Sequence, residues 1–138
     1  MTFHAFTDGA SRGNPGAAGV GIIVNDAEGH AVLTLYGAIG VATNNVAEYT
    51  ALITLLERMK GLPCTTLVVH TDSELMARQM SGRYRVRDHG LKPLHARALQ
   101  LMRALTCECR IEHVPREENR EADRLANRGI DEQVPLSA

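Results

Sequence analysis

The chain has 138 residues, a length typical of one domain that buries its own core. Its composition, 44% hydrophobic and 22% charged, is ordinary for a soluble globular protein, and the absence of a long apolar stretch excludes a membrane-spanning segment. A formal net charge of −1 provides no overall attraction to a polyanion, so a nucleic-acid partner would require metal ions or local basic patches.

The first half of the chain has the pattern of a hairpin followed by a helix. Apolar runs predict strands at residues 3–8, 19–25 and 31–39. A tight glycine-rich turn over residues 8–16 separates the first two strands, and a turn at residues 26–29 joins the second and third. Helical periodicity then predicts a helix over residues 45–60, which Gly61 and Pro63 end.

In the second half, strands alternate with helices. The pattern predicts a strand at residues 67–71, a short helix at 73–80, a helix at 91–105, a strand at 110–114 and a final helix at 119–130. Hairpin strands followed by this alternation predict an α/β fold, a mixed sheet with helices packed on it. Without repeats or linkers, we expect a single domain over residues 1–138, with its core at about 3–131 and a tail at 132–138.

Four carboxylates stand where a globular chain normally places apolar or neutral residues: Asp8, Glu48, Asp72 and Asp123. The two that follow strands lie at strand ends, where open α/β sheets place their ligands, and the two in helices share faces with apolar residues. Buried carboxylates repel one another and lose hydration, so such a set persists only if positive charge holds it together. The sequence therefore predicts one or two divalent cations at this place.

Each carboxylate also has an ordinary alternative role. Asp8 has the position of a turn residue before Gly9, and Asp72 that of the N-cap of the next helix. Glu48 has capping-box spacing from Asn45, and Asp123 is compatible with a solvated helix face. None of these roles explains all four carboxylates together with the glycine-rich turn.

Four segments of the chain resemble type 1 ribonucleases H, which cut the RNA strand of RNA–DNA hybrids. In order, they are TDGASRGNPG at residues 7–16, TNNVAE at 43–48, TDSEL at 71–75 and REENREADRLA at 116–126. The resemblance covers the chain from about residue 3 to residue 131. It implies a ribonuclease H-like fold, with a five-stranded mixed sheet of strand order 3-2-1-4-5 flanked by helices.

The resemblance also implies a reaction. The four carboxylates would hold two Mg²⁺ or Mn²⁺ ions, hard cations that prefer oxygen ligands, with Asp8 bridging both ions. Two ions roughly 4 Å apart clamp the attacking and the leaving oxygens of an in-line cleavage. We therefore expect an endonuclease that leaves 5′-phosphate and 3′-hydroxyl ends. The alternative is a non-catalytic nucleic-acid-binding module on the same scaffold, which would gain from losing these acidic groups near phosphates.

Substrate contacts are expected beside the carboxylates, in a minor groove where a 2′-hydroxyl distinguishes RNA. The candidates are Gly9, Ser11, Asn14, Thr43, Asn44, Asn45 and Glu74. The asparagines are equally suited to capping and turn formation. A concentration of basic residues is expected either to contact phosphates or to form a solvated face; its members are Arg78, Arg83, Arg85, Arg87, Lys92 and Arg97.

The chain departs from well-studied bacterial members of the family in two places. It lacks a histidine in the short loop before the last helix, where Arg116 or Glu117 is the candidate replacement. It also lacks a Trp-containing basic protrusion, because only residues 81–90 lie there, as in a shorter subclass without a hybrid-binding domain. We expect a monomer whose partner is an RNA–DNA hybrid and not a membrane. The odd number of cysteines, three, favours a reducing cytoplasm.

Overall fold

Five strands form one mixed sheet in residues 1–136, the part of the chain that the computed structural model describes. The strands are β1 Thr2–Gly13, β2 Gly16–Asn25, β3 Ala31–Ala42, β4 Thr66–Thr71 and β5 Glu108–His113. Their order in the sheet is β3-β2-β1-β4-β5, as predicted. The pairs β1–β2 and β2–β3 are antiparallel, while β4 pairs in parallel with both β1 and β5.

Four helices cover the two faces of this sheet: α1 Asn44–Met59, α2 Glu74–Met80, α3 Lys92–Ala104 and α4 Arg120–Glu132. A 3₁₀ turn, Arg116–Glu118, precedes α4. Helices α1 and α3 pack on one face, and α4 packs on the other face against β2 and β3. In residues 1–136, none of the helices combines the length and the apolar character needed to cross a membrane.

The main core lies between α1 and the sheet. Leu52, Leu55 and Leu56 of α1 are fully buried against apolar side chains of β1, β2 and β4. Burying one such leucine stabilises a fold by roughly 1.5–3 kcal/mol. These three side chains therefore fix α1 on the sheet, and with it the acidic residue one turn from the start of the helix.

Most of the glycine-rich turn predicted over residues 8–16 is a strand in the structure. Residues 8–13 are not a turn but the second half of β1, paired with β2 as far as Gly13 opposite Gly16. The glycines have a different purpose here, because a Cβ on Gly9 would lie 2.2 Å from the carbonyl carbon of Ala47 in α1. Only Gly13, with φ of +126°, has a backbone conformation that demands glycine in the short connection to β2.

The other predicted elements are confirmed with ends displaced by at most three residues. Part of the predicted tail belongs to the folded domain, because α4 continues to Glu132 and the next residues pair with β3. Ala38 N donates to the carbonyl oxygen of Val134 at 2.7 Å, and Leu136 N donates to that of Ala38 at 3.1 Å. Residues 137–138 of the predicted tail lie outside the described residues.

Candidate active site

Asp8, Glu48 and Asp72 come together beside the end of β4. One carboxylate oxygen from each of them lies within 4.8 Å of one from each of the other two. Asp123, in the first turn of α4, lines the same cavity, which has a volume of about 280 Å³. The structure thus brings all four predicted carboxylates to one place.

Asp8 lies inside β1, but beyond the end of the pairing between β1 and β4. β1 pairs with β4 only as far as Thr7 opposite Thr71, so Asp8 is the first residue beyond that ladder. On its other side, Asp8 pairs with Gly21 of β2. A Cβ on Gly21 would lie 2.2 Å from the carbonyl oxygen of Ala122, so the missing side chain lets α4 pack closely on β2, next to Asp8. The charge of Asp123, the residue after Ala122, acts on Asp8.

Glu48 reaches across to β1 and does not cap its own helix. Thr43 is the N-cap of α1, since its Oγ1 accepts a hydrogen bond from Val46 N at 3.2 Å. Glu48 Oε1 accepts instead from Gly9 N at 2.9 Å, and the residue is 8% exposed. The capping-box alternative for Glu48 is therefore wrong, and the side chain is held between α1 and Asp8.

Asp72 and Asp123 are also free of the ordinary roles considered for them. Ser73 is the N-cap of α2, because its Oγ accepts from Met76 N at 3.1 Å, which leaves the half-buried Asp72 carboxylate at the cavity. Asn127 Nδ2 lies 3.4 Å from Asp123 Oδ1 and donates to the Asp123 carbonyl oxygen at 3.1 Å. This contact orients the half-buried Asp123 toward the sheet.

Burial and mutual repulsion shift the pKa values of two of these groups far from their ordinary range. Burial, followed by the charges of Glu48, Asp72 and Asp123, raises the pKa of Asp8 to about 10. Burial and the charge of Asp72 raise the pKa of Glu48 to about 8, although the Gly9 N–H and Arg116 act in the opposite direction. Without a cation, the cluster therefore retains protons at neutral pH. A compact set of acidic oxygens under net repulsion fits a hard divalent cation, which would displace those protons.

Two further residues belong to the site: one lines the cavity, and the other holds the segment beside it. Arg116, in the 3₁₀ turn, lines the cavity with the carboxylates, whereas Glu117, the other candidate to replace a loop histidine, lines a different cavity. Asn119 was missed as a site residue, although it is 1% exposed and its Nδ2 donates to the Thr7 carbonyl oxygen at 2.9 Å. This bond anchors the turn and the start of α4 beside Asp8. Asn119 and Thr7 are 112 residues apart in the chain, so no local sequence pattern reveals this bond.

Most of the predicted substrate residues lie along one rim of the cavity. Gly9, Ser11, Asn44 and Asn45 line it directly. Ser11 N donates to Asn44 Oδ1 at 2.9 Å, and Asn44 N donates to Asn14 Oδ1 at 3.0 Å. The side-chain amides of Asn14 and Asn44 thus join the β1–β2 hairpin to the start of α1, in line with the alternative role of these asparagines in turns and caps. Asn45 remains exposed.

Glu74 is not brought to this cavity. Its Oε2 accepts hydrogen bonds from Arg78 Nε at 3.2 Å and Nη2 at 2.9 Å, and the two residues line a neighbouring cavity of about 250 Å³. Arg78 also lies over the ring of Tyr84, 5.3 Å from its centroid. Of the predicted basic concentration, the loop after α2 carries three exposed arginines, Arg83, Arg85 and Arg87.

Known proteins share both this sequence pattern and this fold. A sequence model described as reverse transcriptase-like matches residues 6–129. The chain is 40% identical to the Ribonuclease HI of Halobacterium salinarum, over 94% of this chain and 64% of that protein. It is 37% identical to the Ribonuclease H of Halorhodospira halophila, over 95% of this chain and 94% of that protein.

Among solved structures, LC11-RNase H1 in complex with an RNA/DNA hybrid has a TM-score of 0.90 at 39% identity, covering 94% of this chain and 97% of that one. The chain spans 64% of the length of the Halobacterium relative and 34% of three mycobacterial relatives. Fold and matched residues together define a ribonuclease H-like domain. Within that class, the chain belongs to the type 1 ribonuclease H family, as its four motifs predicted.

Proposed function

We propose that this chain is an endonuclease that hydrolyses the RNA strand of RNA–DNA hybrids and leaves 5′-phosphate and 3′-hydroxyl ends. The observation that carries the proposal is the convergence of four carboxylates on one open cavity, three of them with oxygens within 4.8 Å of one another. Membership of the ribonuclease H family supports it, and so does the hybrid complex of LC11-RNase H1.

Asp8, Glu48, Asp72 and Asp123 are the proposed ligands of two Mg²⁺ or Mn²⁺ ions. Ions bound there would supply a water of lowered pKa as the nucleophile and positive charge for the departing 3′ oxygen. Asp8 is the proposed shared ligand, because the charges of all three other carboxylates act on it. Glu48 is held in place by the Gly9 N–H, so its free oxygen is directed at the same space.

Arg116 is proposed to contact the scissile phosphate. Its guanidinium lines the carboxylate cavity, and the turn that carries it is closed by a bond from Asn119 N to the Arg116 carbonyl oxygen at 3.0 Å. Because Asn119 is in turn bonded to Thr7, the turn is fixed relative to Asp8. Arginine keeps its charge at every working pH, so it neutralises phosphate charge without transferring a proton.

The rim along the β1–β2 hairpin and the start of α1 is the proposed minor-groove contact. Gly9 lets the backbone approach the substrate, and the exposed Asn45 offers a donor and an acceptor to a 2′-hydroxyl. The bonds among Ser11, Asn14 and Asn44 hold this rim in one conformation before the hybrid binds. Thr43 contributes by capping α1.

Glu74 and the arginines of the loop after α2 are proposed to lie along the next stretch of the bound duplex. Glu74 holds Arg78, and Arg83 lines the same neighbouring cavity. Phosphate contacts from this side supply the attraction that the net charge of −1 does not.

A cleavage assay on labelled RNA–DNA hybrid, double-stranded RNA and double-stranded DNA, with Mg²⁺ and then Mn²⁺, tests the function. We expect cleavage of the hybrid and loss of cleavage in Asp8→Asn with hybrid binding retained. Asp26→Asn, in the β2–β3 turn at the other end of the sheet, is the matched control and should cleave normally. Hybrid binding without cleavage under either metal would instead establish a non-catalytic binding module.

A further inference from the structure

A buried polar cluster joins three helices outside the carboxylate cavity. The Tyr49 hydroxyl of α1 donates to Gln79 Oε1 of α2 at 2.6 Å, and these residues are 1% and 5% exposed. His95 Nε2 of α3 donates to the Gln79 carbonyl oxygen at 3.1 Å. The rings of Tyr49 and His95 pack edge to face, with their centroids 6.3 Å apart.

Each end of the Tyr49–Gln79 bond is linked through the backbone to a proposed metal ligand. Tyr49 directly follows Glu48 in α1. Gln79 lies near the end of α2, whose N-cap directly follows Asp72. A helix of seven residues is only about 10 Å long, so a contact at its end also bears on the position of its start. The bond therefore limits how far the Glu48 and Asp72 backbones move apart.

The remaining contacts of α2 with the core do not define its position as sharply. Its buried apolar side chains are mainly Met76 and Met80, and methionine adapts to shifts of its surroundings. A hydrogen bond between buried groups is directional, and its loss leaves an acceptor without a partner. Metal ligands must be held within about 0.5 Å of their productive positions. The Tyr49–Gln79 bond is such a directional contact between α1 and α2, while the His95–Gln79 bond holds α2 to α3.

We propose that Tyr49 and Gln79 are positioning residues that set the spacing of Glu48 and Asp72, and through it the affinity of the carboxylate cluster for divalent cations. The inference rests on the proposed function only in requiring that these carboxylates bind such ions. It assigns no contact with substrate or metal to either residue.

Calorimetric titration of Mn²⁺ into the wild type and its variants, without substrate, tests this role. Tyr49→Phe and Gln79→Met should each weaken Mn²⁺ binding by up to about tenfold, the low end of the effect of residues bonded directly to a metal ligand, because these two act through the backbone. The concentration of Mn²⁺ that gives half-maximal hybrid cleavage should rise by the same factor, while the KM for the hybrid changes little.

Two controls separate positioning from loss of stability. Tyr36→Phe removes an exposed hydroxyl bond, 2.9 Å to Glu132, near the far end of α4, and should bind Mn²⁺ normally. Met59→Ala destabilises the core at the last residue of α1 and should also retain Mn²⁺ affinity. In the double variant Tyr49→Phe/Gln79→Met no acceptor is left without its donor, so stability should recover in part while Mn²⁺ affinity stays low.

Wild-type Mn²⁺ affinity in Tyr49→Phe and Gln79→Met would overturn the positioning role and leave the proposed function intact. Weakening in Met59→Ala as large as in Tyr49→Phe would also overturn it, because general destabilisation would then be the cause. If the wild type itself binds no Mn²⁺, the proposed function and this inference both fail.

Discussion

Asp8 is the residue whose charge costs the fold most. Burial and three neighbouring carboxylates raise its pKa from 3.8 to about 10. The folded state therefore favours the protonated form. The stability associated with this group is fully present below about pH 4 and is lost as the pH rises toward 10. At neutral pH the cation-free protein pays this cost, which a bound cation removes.

Asp8→Asn should therefore stabilise the cation-free protein. At pH 7.5 in EDTA, we expect a gain in the free energy of unfolding of at least about 1.4 kcal/mol, the value of one pKa unit. The gain should shrink as the pH falls toward 4 and vanish below it, where Asp8 is protonated in both states. Urea unfolding at several pH values measures it. A loss of stability at pH 7.5 would show that Asp8 is not repelled by its neighbours.

Substitution of Arg116 tests its proposed contact with the scissile phosphate separately from metal binding. Arg116→Ala should lower kcat for hybrid cleavage by about 10²-fold, the effect of removing one preorganised donor from a reacting group. Arg116→His should restore part of the rate at acidic pH only, because histidine loses its charge near pH 6.5. Measurements of kcat from pH 5.5 to 9 test both variants. Arg124→Ala is the control, because Arg124 is exposed and pairs with Glu121. Equal activity of Arg116→His throughout this range would contradict a role for positive charge.

At the scale of elements, local patterns predicted those parts of the fold that local forces determine. The periodicity of α1 and the apolar run of β4 gave both elements within one residue. The second half of β1 was misread because Gly, Ser and Asn favour turns, whereas here tertiary contacts override that preference. Gly9 is in a strand because the α1 backbone packs directly on it, a contact made 39 residues along the chain.

The same distinction holds for the candidate site. The four carboxylates were predictable, since each interrupts an apolar pattern of its own segment. The bonds that position them join distant segments, as from Asn119 to Thr7 and from Tyr49 to Gln79. Such pairs leave no periodic signal. Glu74 was predicted beside the carboxylates, but it pairs with Arg78 at the neighbouring cavity.

Gly9→Ala tests the close packing of α1 on β1. A Cβ there would lie 2.2 Å from the Ala47 backbone, so α1 must move and carry Glu48 with it. We expect a loss of about 1–3 kcal/mol in the free energy of unfolding, typical of overpacking, together with weaker Mn²⁺ binding. Gly90→Ala is the control, because its new Cβ would meet only the side chain of Asp88. Unchanged Mn²⁺ affinity in Gly9→Ala would show that Glu48 does not depend on this contact.

For the molecule as a whole, neither the net charge of −1 nor the acidic cavity attracts a polyanionic duplex. Local groups of basic residues must supply that attraction. The rim of β1 and α1 lies on one side of the carboxylates, and the arginine-bearing loop follows α2 on the side of Asp72. A bound hybrid would lie across both, with its phosphates on the loop.

Neutralising that loop should affect binding more than chemistry. Arg83→Gln/Arg85→Gln should raise the KM for the hybrid several-fold at low salt, leave kcat nearly unchanged and flatten the dependence of KM on salt, because fewer counterions are released. Arg58→Gln/Arg103→Gln makes the same change of charge at the last turns of α1 and α3 and should behave as the wild type. Equal effects of the two double variants would mean that only overall charge matters.

The central claim, that the four carboxylates bind divalent cations, is tested most directly by anomalous diffraction from crystals soaked in Mn²⁺. We predict two Mn²⁺ peaks within bonding distance of Asp8, Glu48, Asp72 and Asp123, with Asp8 touching both. Diffraction data that show no Mn²⁺ among these four side chains at saturating concentration would contradict the account.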